Sequence, residues 1–109
     1  QDSGIIKARV ALLDAQSVGL GLIVFISISV STHSKDWADK FAKVIDSLPQ
    51  VQSAYRTSGN QDYLIKARVS NVQAYDDLYQ RLISQIELAD VSASFVMEEL
   101  KNTTELPLP

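Results

Sequence analysis

The stretch that most restricts this chain is Ser58-Gly59-Asn60-Gln61-Asp62-Tyr63, a polar turn that runs straight into an alternating apolar segment ending at Val69. Tyr63, Ile65, Ala67 and Val69 share one side of a period-two pattern, and Leu64, Lys66 and Arg68 share the other. Upstream, residues 51–57 offer Val51, Tyr55 and Thr57, types that suit a pleated, half-buried surface. Two such runs joined by a short glycine-containing loop predict a β-hairpin. Gly59 supplies the positive φ that such turns need, and Asn60 also tolerates left-handed geometry. Asp62 stands at the mouth of the second strand. A short carboxylate there either closes the turn against backbone N–H groups or holds the amino group of a small ligand. The sequence leaves both roles open.

Around this hairpin the chain alternates strands with helices. Residues 5–13 alternate and predict a strand, and residues 14–19 a short connection. Residues 20–31 form the most hydrophobic run, with Val24, Ile26, Ile28 and Val30 on one face and Phe25, Ser27, Ser29 and Ser31 on the other. A strand apolar on both sides in its first half belongs in the middle of a sheet. Ser34 is suited to cap a helix in which Trp37, Phe41, Val44, Ile45 and Leu48 recur at helical spacing, with Asp36 complementing the dipole and Pro49 ending the element. Asn71 is placed to cap a second helix carrying Tyr75, Leu78, Tyr79, Leu82 and Ile86. Residues 91–100 predict the last strand. The tail, 101–109, leaves the core unless Leu106 and Leu108 dock on a neighbour.

From residue 20 onward the order is strand, helix, strand, strand, helix, strand. With right-handed crossovers this is an α+β, ferredoxin-like βαββαβ sandwich: a four-stranded antiparallel sheet with two helices on one face. The strand at 5–13 is an addition. Apolar residues on both faces of the first and last core strands leave sheet area uncovered by the helices, which predicts a sheet-to-sheet homodimer.

Composition narrows the function. With 109 residues and 46% hydrophobic content the chain is one domain with a real core. A net charge of −3, a pI near 4.9 and no adjacent cations disfavour direct binding to duplex DNA. Readout of RNA would need exposed aromatics beside basic residues, and Phe25, Tyr55, Tyr63 and Phe95 lie in a serine-rich setting. There is no cysteine and a single histidine, so metal carriage lacks ligands, and no metal or cofactor is implied. The apolar run 18–30 is too short to span a bilayer and is broken by glycine and serine; neither membrane anchor nor signal peptide is read, and a cytoplasmic location is expected. His33 reads as a solvated loop residue, lacking a nucleophile or orienting carboxylate at a recognisable spacing. Trp37 lies on an apolar helix face. Asp76-Asp77 and Glu98-Glu99 are adjacent pairs whose members diverge, so neither makes an acid–base dyad.

The hairpin sequence from Ser58 to Lys66 resembles the signature of the Lrp/AsnC, or feast/famine, transcription regulators. The similarity continues in Ala74-Tyr75, in Phe95-Val96-Met97-Glu98-Glu99-Leu100-Lys101, and in the tail Thr103-Thr104-Glu105-Leu106-Pro107-Leu108. Asp2-Ser3-Gly4-Ile5-Ile6 and Ala11-Leu12-Leu13-Asp14 resemble the junction between that family's DNA-binding helices and its linker strand. Thr57 stands where the family often has Val.

The resemblance implies three parts. Residues 1–14 would be a linker strand from an absent helix-turn-helix domain, 15–101 an effector-binding and oligomerisation (RAM) domain, and 102–109 a tail. It implies dimers through the sheet, octamers as tetramers of dimers, and DNA contact only through the absent domain. It also implies a small amino-acid effector held between dimers at Arg56, Ser58, Gly59, Asn60, Asp62, Val72, Ser94 and Phe95. On this reading Asp62 pairs with the α-ammonium, turn N–H groups take the carboxylate, and Val72, Ser94 and Phe95 read the side chain. The expected function is ligand sensing in control of amino-acid metabolism, without catalysis. The alternatives are a small dimeric ferredoxin-like enzyme using His33 and a stand-alone domain that modulates full-length relatives.

Overall fold

The central strand of the sheet is also its most apolar one. In the computed structural model, which describes residues 21–108, β1 (Leu22–Ser29) is hydrogen-bonded on both sides, while β2 (Val51–Arg56) and β4 (Asp90–Phe95) form the edges. With β3 (Tyr63–Val69) the order is β2-β3-β1-β4, every neighbouring pair antiparallel. Helices α1 (Lys35–Asp46) and α2 (Val72–Gln85) make the two crossovers. This is the ferredoxin-like arrangement that the alternation predicts. The strand expected at 5–13 and the connection at 14–19 lie outside the described residues.

Both helices begin where their caps dictate. The Ser34 hydroxyl accepts the Trp37 amide at 3.1 Å, and Asn71 Oδ1 accepts the Ala74 amide at 2.8 Å. Each bond satisfies one of the amide donors left free at a helix start. The apolar stripe of α1 brings Phe41 and Val44 onto the sheet, and that of α2 brings Leu78 and Leu82. They meet Val24, Ile26, Ile28, Ile65, Ala67 and Val69, which alternate along β1 and β3 on the same face. Trp37, Phe41 and Tyr63 add an aromatic cluster at one end of this layer, with ring centroids 4.7–5.7 Å apart. The Trp37 indole also donates to the Glu87 carbonyl at 2.9 Å, tying α1 to the segment after α2.

Two boundaries differ from the sequence reading. The last strand ends at Phe95 rather than at residue 100. Phe95 pairs with Val24, and the Val96 amide makes one more bond, 2.9 Å to the Ile23 carbonyl, one residue from the start of β1 at Leu22. The apolar side chains beyond that point are left in solvent, Met97 being 95% and Leu108 94% exposed, so the tail leaves the core as its composition suggests. The first core strand, expected over 20–31, ends at Ser29. The next amide, Val30, bonds to the Asp62 carboxylate instead of to a strand neighbour.

Among the described residues the opposite face of the sheet carries no helix. Phe25 and Tyr55 are exposed there beside the directly paired Ser27 and Ser92. A bulge between Val51 and Ser53 bends the edge strand, and Arg68 lies buried with its Nε donating to Gln52 Oε1 at 3.0 Å.

Because Leu78 is almost fully enclosed by this single core, Leu78→Ala should lower unfolding free energy by about 2–5 kcal/mol in urea titrations. A loss under about 1 kcal/mol would mean that α2 is not packed as described.

Candidate functional site

The hairpin turn is closed by its own residues and then fastened to β1. The Thr57 amide donates to the Asp62 carbonyl at 2.9 Å, and the Thr57 hydroxyl donates to the Gln61 carbonyl at 2.8 Å. The hydroxyl bond is one that valine at this position would lack. Gly59 has φ +104, and no other described residue has positive φ, so Asn60 does not use its tolerance. Asp62 then turns inward. Its amide donates to the Ile28 carbonyl at 2.8 Å, and its Oδ2 accepts the Val30 amide at 2.9 Å. The backbone carbonyl of Asp62 therefore closes the turn on Thr57, while its carboxylate fastens the turn to the residue after β1. One oxygen remains: Oδ1 lies 3.9 Å from His33 Nε2. A ligand ammonium approaching the turn would meet that oxygen and not the one committed to the backbone.

Three segments converge beside this carboxylate. The β1–α1 loop, the start of α1 and the end of β2 enclose a cavity of about 230 Å³ lined by Val30, His33, Lys35, Trp37, Arg56 and Tyr63, among others. His33 and Arg56 are exposed at its rim. Lys35 reaches Asp39 at 3.0 Å, an exposed i,i+4 pair of little energetic weight. A more apolar groove of about 290 Å³ runs alongside, between α1 and the edge strand β2, and shares Arg56 and Tyr63.

The eight residues implied by the family resemblance fall into two groups. Arg56, Ser58, Gly59, Asn60 and Asp62 gather at the turn. Val72 follows the far end of β3, whose seven residues put it roughly 20 Å from the turn. Ser94 and Phe95 lie level with Lys66 and Ala67, three and four residues along from Tyr63 and across β1 on the edge strand β4. Val72, the first residue of α2, is 60% exposed, and Ser94 faces away from the helices. Phe95 is half-buried, its ring edge-on to Tyr75 at 5.5 Å. Burial, followed by the neighbouring Tyr79 and Asp76, raises the Tyr75 pKa above its ordinary value of 10.0. The neutral phenol is thus favoured in the folded state. Its stabilisation is complete below the unfolded pKa and is lost as pH rises through the folded one.

Sequence reasoning missed the meeting of His33 with Asp62 and the contribution of Lys35 to the cavity. Residues 33 and 62 are far apart in the chain, and only the bond between Asp62 and Val30 brings them together. The usable signal was weak: a polar loop after the strand that must pair with the hairpin.

Against this geometry the comparisons are decisive. A model of the Lrp/AsnC ligand binding domain matches residues 23–106. The chain belongs to the Lrp/AsnC family. It is 50% identical over 106 residues to the glutamate uptake regulatory protein of Zymomonas mobilis, covering 97% of this chain but 65% of that protein, just under two thirds of its length. Among solved structures, an AsnC family transcriptional regulator from Agrobacterium tumefaciens superposes with a TM-score of 0.81 at 46% identity, over 95% of this chain and 68% of that one. A Neisseria meningitidis transcriptional regulator solved with L-Met gives 0.77 at 30% identity, over 96% and 76%. The chain is thus an Lrp/AsnC ligand-binding domain with the ferredoxin-like fold. Among the described residues no helix is long and apolar enough to cross a membrane.

Two substitutions separate the roles of the turn. Asp62→Ala orphans the Val30 amide and should cost about 1–3 kcal/mol in urea unfolding, whereas Asp62→Asn keeps an acceptor and should cost less than about 1 kcal/mol. Equal stability of the Ala variant and the native chain would show that the bond to Val30 holds nothing. A Cβ at Gly59 meets no atom within 4 Å, so Gly59→Ala should destabilise only through its φ, by about 1–3 kcal/mol, with no change in the contacts around the turn in a crystal structure.

Proposed function

We propose that this chain is the effector-sensing and oligomerising part of a longer DNA-binding regulator of amino-acid metabolism, and that its ligand is an amino acid held between copies of the chain. The observation that carries this reading is the scatter of the eight candidate residues over one sheet, with five at the turn, Val72 a strand length away, and Ser94 and Phe95 on the far edge strand. No single chain can close both groups around a small molecule, but two chains can, if the turn of one meets the exposed Val72 and Ser94 of another. The uncovered sheet face supports the same view. Phe25 and Tyr55 stand among serines small enough to let a second sheet approach, which favours a dimer through that face, leaving the turn and the start of α2 for contacts between dimers in an octamer. The L-Met bound to the Neisseria meningitidis relative is the kind of ligand expected.

The chemistry follows from the residues. Oδ1 of Asp62 takes the α-ammonium, and the N–H groups around Gly59 take the α-carboxylate. Val72, Ser94 and Phe95 of another copy close over the ligand. Since the ligand touches more than one chain, it binds one assembly more tightly than others and shifts the population toward it. Residues 1–14 would pass that shift to a DNA-binding domain, placing the whole protein with DNA in the cytoplasm. We read the domain as non-catalytic: His33 does face a carboxylate, but the neighbouring Ser34 hydroxyl is accepting the Trp37 amide as a helix cap.

A thermal-shift screen of the standard amino acids, run alongside sedimentation velocity, tests the proposal. At least one amino acid should raise the melting temperature by several degrees and change the sedimentation coefficient. Asp62→Asn should abolish both responses, and so should Val72→Asp, although the two residues are far apart in one chain. A ligand bound one-to-one by a monomer, with Val72→Asp responding normally, would refute the shared site.

A further inference from the structure

We infer that the cavity at the end of β1 receives a side-chain carboxylate, so that the effector of this domain is an acidic amino acid. The inference rests on the effector-site reading above and adds the ligand's charge to it. Lys35 at the start of α1 and Arg56 at the end of β2 line the same cavity of about 230 Å³, with the His33 imidazole beside them. No carboxylate side chain lines it among the described residues. That is an unusual concentration in a chain with a net charge of −3. The nearest acids are accounted for. Asp39 lies on the exposed flank of Lys35, and Asp62 has given one oxygen to the Val30 amide and turns the other toward His33.

The result is a polar axis of the kind an acidic amino acid presents. Asp62 Oδ1, just outside the lining and 3.9 Å from His33 Nε2, offers one negative point for the ammonium, and His33 shares the cavity with Arg56 and with Lys35, whose ammonium rests on Asp39. Arginine's planar fork matches a carboxylate with two parallel hydrogen bonds, which lysine alone does not provide. Trp37 and Tyr63 supply ring surface between these charges, suited to a short methylene stem. The volume is below the ~300–1,000 Å³ of pockets for drug-sized ligands, as befits a metabolite of few atoms. A neutral side chain would leave Arg56 without a partner once a second copy closed over the site. That penalty separates acidic from neutral ligands more sharply than size would.

Calorimetric titration of this chain with L-glutamate, L-aspartate, L-glutamine and L-methionine tests the inference, with Trp37 fluorescence as an independent readout from the cavity wall. Glutamine matches glutamate in shape and shares its α-groups, so their ratio isolates the side-chain charge. One of the acidic amino acids should bind at least about tenfold more tightly than glutamine, the value of one charge-assisted hydrogen bond. Arg56→Met should bring that ratio close to one, and Lys35→Met should lower it by a smaller factor; the melting temperature of each ligand-free variant reports that folding survived. If glutamine or methionine binds as tightly as the acids, or if Arg56→Met keeps the preference, the inference is overturned while the effector-site reading stands. If no amino acid binds at all, both fall.

Discussion

Everything at the functional end of this domain hangs on one short contact, the Asp62 carboxylate accepting the Val30 amide. In an antiparallel sheet the hairpin β2–β3 is held to β1 by ladder bonds that stop at Ile28 and Tyr63. Beyond that point the turn and the β1–α1 loop would drift apart, each with backbone donors in need of partners. Asp62 answers both needs, donating its amide to Ile28 and accepting from Val30, so the two loops become one rigid corner. The cost of losing such a bond is set less by its own strength than by the amide it would leave unpaired. Asp62 is thereby part of the scaffold, and its two carboxylate oxygens have to be considered separately.

The second constraint is geometric. A ferredoxin-like sheet places helices on one face only, and its crossovers put the start of α2 at the opposite end from the β2–β3 turn. Candidate residues carried by those two places are kept apart by the rigidity of β3, whose buried Ile65, Ala67 and Val69 fix it in the core. Sheets of this kind do not fold over to join their own ends. A shared site between copies follows from the topology once both ends are assigned to one ligand, and the uncovered face with Phe25 and Tyr55 gives the copies a surface to share.

Much of this was legible from the chain alone, because local and global signals agree. Ser34 and Asn71 announce their helices, the period-two runs announce β1 and β3, and the glycine in the turn announces the only positive φ among the described residues. The end of β4 was not legible. Residues 96–100 have strand-like composition, but a strand needs a neighbour, and β1 reaches only one residue past Ile23, to Leu22. Nor could the sequence decide between the two roles of Asp62, since both use the same carboxylate at the same place. The choice depends on where residue 30 stands, which is a tertiary fact. The same holds for the cavity of His33, Lys35 and Arg56: each is unremarkable in its own segment, and only the corner held by Asp62 makes them neighbours.

Under the shared site proposed above, that corner would give a small ligand leverage over an assembly. A metabolite resting on Asp62 Oδ1 touches a carboxylate already locked to the backbone, so the turn need not reorganise to receive it. Little binding energy is then lost in ordering this half of the site. What remains to be organised is the contact with Val72, Ser94 and Phe95 of another copy, and binding energy released there bears directly on how copies are arranged. A floppy turn would have absorbed the same energy locally, through its own ordering. A rigid turn passes it across the interface. The structural role of Asp62 is in this sense the condition for the signalling role proposed for it, and the two are not competing accounts of one residue.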